Sequence, residues 1–274
     1  MKALRITLPG LFMMAAILVA PGPVTAQQYK EDFNAALEAA KNPATLADAR
    51  SLFINAATGA DGASDTETAQ RARHITAQID YKLGTEALKS EDYQAALEHY
   101  SNGENVFPTY IKNLYGKGLA LKNLGRLDEA LGIWKTVATA QGDRRTSLAA
   151  EKAIRDHFIS QASAALAKRN ATRADADAAL AALASLSEFM EADADVYYYT
   201  ALAHYTKGEG DAAIAAAQQA LNIHSGSRSD KAKIYYVLGE AYISVGNRDA
   251  ARDAFSNAVY GTWKQSAEHY LETL

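Results

Sequence analysis

The chain has 274 residues, 49% hydrophobic and 22% charged, with 28 Lys and Arg against 32 Asp and Glu and no Cys. This is the composition of a globular chain with a real core, and its acidity speaks against nucleic acid and anionic membrane surfaces, where binding depends on basic residues. Without Cys no disulfide supports the fold, so packing must.

Residues 1–26 read as a leader. Lys2 and Arg5 give a basic start, Leu11–Ala20 is an unbroken apolar run, and Val24-Thr25-Ala26 has the small residues of a cleavage site. The run is short for a bilayer span and is flanked by Pro9 and Pro21. These features predict a signal peptide, a mature chain beginning at Gln27, export to the periplasm or beyond, and no stable membrane insertion. Removing Lys2 and Arg5 leaves 26 Lys and Arg against 32 Asp and Glu, a net charge of −6.

Residues 27–62 follow as a degenerate N-terminal helix pair, with Ala49, Phe53 and Ala56 on one helical face. A long helix beginning at Thr66 then leads into the first of two copies of one pattern within residues 63–142. Gly84, Ala96 and Tyr100 recur as Gly118, Ala130 and Trp134, all at one common spacing. Each copy reads as two helices joined by a polar turn, with small residues where the backbones approach and an aromatic filling the space beside them. Residues 143–191 read as an irregular helical pair whose phase fits no multiple of that spacing. The pattern returns twice in residues 192–260, as Ala201, Ala213 and Ala217, then as Gly239, Ala251 and Phe255, at a slightly longer offset. Asp195 precedes the apolar run of that region and is expected to be a helix N-cap. Residues 261–274 are expected to form a capping helix that shields the last apolar stripe.

One helix hairpin cannot bury its apolar stripe, whereas stacked copies can. Leu83-Gly84, Ala96, Tyr100 and Pro108, with Leu238-Gly239, Tyr242, Ala251 and Phe255, resemble the tetratricopeptide repeat (TPR) pattern. The common spacing of the first two copies is also that family's period, about 34 residues. The departures are Ala201 and Ala217 in the third copy and the missing Pro at the end of three copies. The resemblance implies an all-α fold, a right-handed superhelical solenoid of antiparallel helix hairpins.

Catalytic and cofactor motifs are not found. Tyr115–Ala120 contains Gly-Lys without the spacing or Ser/Thr of a phosphate loop, and no G-x-S-x-G occurs. The six His never fall as H-x3-H, and Glu191–Tyr197 lacks the Gly and distal Glu of a calcium loop. The expectation is a non-enzyme without metal or cofactor.

A Tyr stands three residues before each packing Gly or Ala, starting a second helical stripe: Tyr81/Thr85/Leu88, Tyr115/Leu119/Lys122, Tyr198/Leu202/Tyr205 and Tyr236/Glu240/Ile243. In the family this face lines the concave groove that holds partner segments, so the resemblance implies a Tyr-lined groove; the alternative is that these rings pack as core. Tyr suits binding because it offers a large area with little entropy to lose. The family's Lys and Asn clamp for a C-terminal carboxylate is not carried over, because Tyr81 and Thr85 occupy its places. The sequence thus points to an interaction scaffold or adaptor of the bacterial cell envelope that binds a protein or peptide segment, with room for homo-oligomerisation. Glycan binding in the envelope is the alternative.

Overall fold

The computed structural model describes residues 27–274 and is helical, with no strand among them; the leader expected at residues 1–26 lies outside the described residues. Among the described residues thirteen α-helices follow one another: α1 (Gln28–Ala39), α2 (Leu46–Gly62), α3 (Thr66–Lys89), α4 (Tyr93–Val106), α5 (Lys112–Asn123), α6 (Leu127–Thr139), α7 (Arg144–Leu166), α8 (Arg173–Ser187), α9 (Ala194–Lys207), α10 (Gly210–Ile223), α11 (Arg228–Ser244), α12 (Arg248–Ala258) and α13 (Lys264–Thr273). None of them is long and apolar enough to cross a membrane.

Local chemistry sets the boundaries. Asp65, Asp92 and Asp143 each accept a backbone N–H three residues on, at the starts of α3, α4 and α7. Thr172 with Asp175 and Ser227 with Asp230 form reciprocal capping boxes at α8 and α11. The N-cap of α9 is Asp193, which accepts from the backbone N–H groups of Asp195 and Val196. This corrects the sequence expectation for Asp195: two residues further in, its carboxylate is free to reach other helices. Within the hairpins, Gly125, Gly208 and Gly246 turn the chain at φ of 77°, 78° and 79°. Glu91, one repeat before Gly125, takes the same left-handed conformation at φ 61° despite its side chain.

Each of the four patterned hairpins closes through one small residue. A Cβ on Gly84 would lie 2.8 Å from the Tyr100 ring, one on Gly118 2.3 Å from the Trp134 indole, and one on Gly239 2.7 Å from the Phe255 ring. In the third copy Ala201 stands opposite Ala217 and both are fully buried, so the methyl group replaces glycine where no ring needs the space. Gly116 has the same role from the next hairpin, since a Cβ there would be 2.3 Å from Tyr100. The Tyr100 ring is therefore wedged between α3 and α5. Asn113 fixes that junction further by donating from Nδ2 to the Ala77 carbonyl at 2.9 Å.

The hairpins stack into a helical solenoid. Helix α3 touches α5, α5 touches α7, α7 touches α9 and α9 touches α11, whereas the second helices α4, α6, α8, α10 and α12 barely meet one another. The first helices therefore line the tighter, inner side of the stack. The α7–α8 pair takes part in this arrangement like its neighbours, its seam filled by Ala150, Ile154, Ala162, Ala176, Ala179 and Leu183 rather than by a glycine and a ring. At the end, Ala267 of α13 covers Ala251, Phe255 and Ala258.

Candidate functional site

The inner face is built by α3, α5, α7, α9 and α11, and all twelve residues of the predicted stripes lie on four of these helices. The structure gathers them into two groups, separated by α7.

In the first group, Tyr81 of α3 packs between Tyr100 and Tyr110, with ring centroids 6.0 and 6.1 Å away. Thr85 donates to the Tyr81 carbonyl at 2.7 Å and lies 3.2 Å from the Tyr100 hydroxyl, so it supports the ring rather than presenting itself. Tyr115 of α5 lies against Trp134 at 6.4 Å, and the indole N–H donates to the Tyr115 carbonyl at 3.2 Å. Leu88 and Leu119 are half-buried against the core, while Lys122 is exposed. A cavity of about 300 Å³ opens between Tyr81 and Tyr115 and is closed by Lys112, Arg145, Thr146 and Ala149. Lys112 is 3.8 Å from Asp143, and Arg145 is exposed at the rim. Neither cation is marked by the repeating stripe, because both sit at helix starts outside it: Lys112 opens α5, and Arg145, whose pair with Arg144 reads in the sequence as solvated loop, stands in the first turn of α7. Ala149, one repeat after Tyr115, continues the stripe into α7 without a ring. Burial raises the Tyr115 hydroxyl above its ordinary range, with Tyr81 adding to the shift.

In the second group, Tyr198 of α9 is only 7% exposed, so its ring belongs to the core. The Lys233 ammonium sits 4.8 Å over that ring, and Tyr199 packs edge-on at 4.9 Å. Leu202, Tyr205, Tyr236, Glu240 and Ile243 are half-buried. Tyr236 touches Trp263 at 4.7 Å and Tyr270 at 5.9 Å, and the Tyr270 hydroxyl donates to Glu240 Oε1 at 3.3 Å. Tyr270 comes from α13, outside the repeating units, and nothing in the repeat spacing identifies it.

Between the groups runs a chain of charges. Arg155 of α7 donates from Nε to Asp193 at 2.6 Å and from its guanidinium to Asp195, while Lys233 of α11 donates to the other Asp195 oxygen at 2.6 Å. Asp195 thus links three successive inner helices. Burial acts to raise its carboxyl, but Lys233 and Arg155 outweigh that and hold it below the usual range.

Among the described residues no cluster of His, Asp and Glu is arranged to hold a metal. What the face offers is half-buried rings with charged groups at their edges.

No family model matches the chain, and no curated protein matches it. Among solved structures it is similar to the MamA protein, with 20% identity, 71% of this chain and 94% of that chain covered, and a TM-score of 0.37. A thermophilic TPR protein of Thermus thermophilus shares 21% identity over 72% of this chain and 99% of its own, at a TM-score of 0.32. A tetratricopeptide repeat protein of Parabacteroides merdae shares 15% identity over 90% of this chain and 98% of its own, at 0.33. Similarities of this strength say nothing about site or partner. The helical solenoid rests on the chain's own hairpins and on the contacts between their first helices.

Proposed function

We propose that the protein is a non-catalytic scaffold that holds a segment of a partner protein along the inner face of its solenoid, outside the cytoplasm. The observation that carries this reading is the cavity between Tyr81 and Tyr115, which combines two aromatic walls with the cations Lys112 and Arg145 at its edge. Aromatic area with convergent polar groups is what a binding surface needs, because the rings supply contact at low entropic cost and the charges fix register. Tyr236 and Tyr205 extend the same face toward the C-terminus. The leader read in the sequence is what supports a role in the bacterial cell envelope.

The test is photo-crosslinking in cells. A photoreactive phenylalanine at position 115 or 236 is expected to yield discrete protein adducts. The same group at exposed positions of second helices, such as Glu98 or Asn257, is expected to yield none. Equal adducts from both faces, or retention of the protein by envelope polysaccharide with no protein adduct, would overturn the proposal.

A further inference from the structure

Glu240 is an isolated acid. It sits half-buried on the inner side of α11, accepts one long hydrogen bond from Tyr270, and pairs with no Lys or Arg among the described residues. Other buried or half-buried carboxylates along the inner helices are compensated: Asp80 by Arg50, and Asp193 and Asp195 by Arg155 and Lys233. Tyr270 donates to Glu240, Tyr236 stands one helical turn before it on α11, and the Tyr236 and Tyr270 rings pack at 5.9 Å. Burial first and then Glu240 raise the Tyr205 and Tyr236 hydroxyls; burial, Tyr199 and Glu240 push Tyr198 up to about 12; burial and Glu240 push Tyr270 up to about 12. Burial in turn raises the Glu240 carboxyl itself, against the opposing hydrogen bond from Tyr270. Beside this group, a cavity of about 430 Å³ opens between Tyr236 and Tyr270 along the face of α13 carrying Gln265, Ser266 and His269.

An unpaired carboxylate among aromatic rings is costly by itself, and a cation that also donates hydrogen bonds to it offsets that cost. The rings then contribute through their negative faces, as Tyr198 already does for Lys233. We infer that Glu240, Tyr236 and Tyr270 form a seat for an arginine side chain carried by a segment lying on the inner face. A guanidinium fits better than an ammonium, because its plane can stack on a ring while its N–H groups donate to the carboxylate. The inference rests on the binding role proposed above and adds the charge pattern of the partner. With Lys112 and Arg145 beside Tyr81 and Tyr115, the face is cationic at one end and anionic at the other, so a bound segment has one preferred direction.

The probe is an N-acetylated, C-amidated tetra-arginine peptide, titrated into the processed chain at physiological salt, with the tetra-glutamate peptide as the opposite-charge control. Saturable binding is expected, with the ring resonances of Tyr236 and Tyr270 shifting under 13C-tyrosine labelling. Glu240→Gln is expected to weaken binding at least ten-fold. Glu98→Gln, which removes the same charge from the exposed side of α4, is expected to change it less than two-fold. Equal loss in the two variants, no saturable binding by the parent, or shifts confined to Tyr81 and Tyr115 would overturn the seat. The ring shifts of the parent decide the matter even if Glu240→Gln fails to fold. A partner cross-linked from position 115 whose affinity ignores Glu240→Gln sinks the seat and leaves the scaffold. Arginine binding at Glu240 without any cross-linked partner does the reverse.

Discussion

Gly84, Gly118 and Gly239 are fixed by what faces them. Each helix backbone lies so close to an aromatic ring that even one methyl group must displace it, and the rings of Tyr100, Trp134 and Phe255 are fully buried with nowhere to move. Gly84→Ala and Gly239→Ala are therefore expected to destabilise by about 1–3 kcal/mol, the range for overpacking a filled core. Denaturant unfolding checks this, and a variant as stable as the parent would show that the ring can yield. Glu91 is the opposite case. Its left-handed backbone costs about 1–2 kcal/mol for a residue with a Cβ, and glycine would remove that strain while adding some entropy to the unfolded chain. Glu91→Gly is thus expected to gain up to about 1 kcal/mol, the strain relieved less the added entropy, and a loss would mean that the Glu91 side chain has contacts in solution that outweigh its strain. The tyrosines divide by burial. Tyr198→Ala is expected to cost about 3–5 kcal/mol as a core truncation, whereas Tyr81→Ala, Tyr115→Ala and Tyr236→Ala, each half-buried, should cost less. Melting curves showing no gap between Tyr198 and the other three would contradict this division.

At the scale of helices, the join between α7 and the hairpins after it depends on charge as well as apolar packing. Asp195 accepts from Arg155 on one side and Lys233 on the other, so Asp195→Asn weakens two charge-assisted contacts at once. Partly exposed pairs contribute up to about 1 kcal/mol each, giving an expected loss of roughly 1–2 kcal/mol that shrinks at high salt. Hydrogen exchange should locate the loss in α9 and the start of α11; uniform loosening along the chain would mean that Asp195 does not link these helices. The same region shows what the sequence revealed and what it hid. The hairpins α3–α4, α5–α6 and α11–α12 were legible because a close helix crossing demands glycine against a ring, and that pairing recurs visibly along the chain. Between α7 and α8 the seam is made of Ala150, Ile154, Ala162, Ala176, Ala179 and Leu183, with no glycine set against a ring, so nothing there repeats to mark the phase of the pair. The inner stripe was legible as a stripe. Its division into two groups was not, because Arg145, Lys112 and Tyr270 come from helix starts and from α13.

Across the whole molecule, titration should separate two populations of carboxyls. Asp65, Asp143 and Asp230 are held below the usual range chiefly by hydrogen bonds at helix N-termini, from the Thr68 backbone, the Thr146 backbone and the Ser227 side chain respectively. A carboxyl lowered on folding contributes stability above its unfolded value near 3.8, and that contribution is lost as pH falls through the lower folded value. Asp80 and Glu240 run the other way, because burial raises both. Their contribution is complete only below the unfolded values of 3.8 and 4.5, and it disappears as pH rises through the folded ones. Acidification from neutrality should first maintain or raise stability, as Asp80 and Glu240 take up protons more readily in the folded chain than in the unfolded one. Below about pH 4 it should fall, as the capping aspartates lose their charge. Glu240→Gln removes one of the two opposing groups without disturbing a cap. Its urea midpoint should therefore equal or exceed the parent's at about pH 7 and show a smaller rise, or none, on the way to about pH 4.5. Below that, the two curves should fall together. A parent whose midpoint declines steadily from neutrality, with the variant superimposed on it throughout, would mean that the Glu240 carboxylate is solvated in the folded protein and no more costly there than in the unfolded chain.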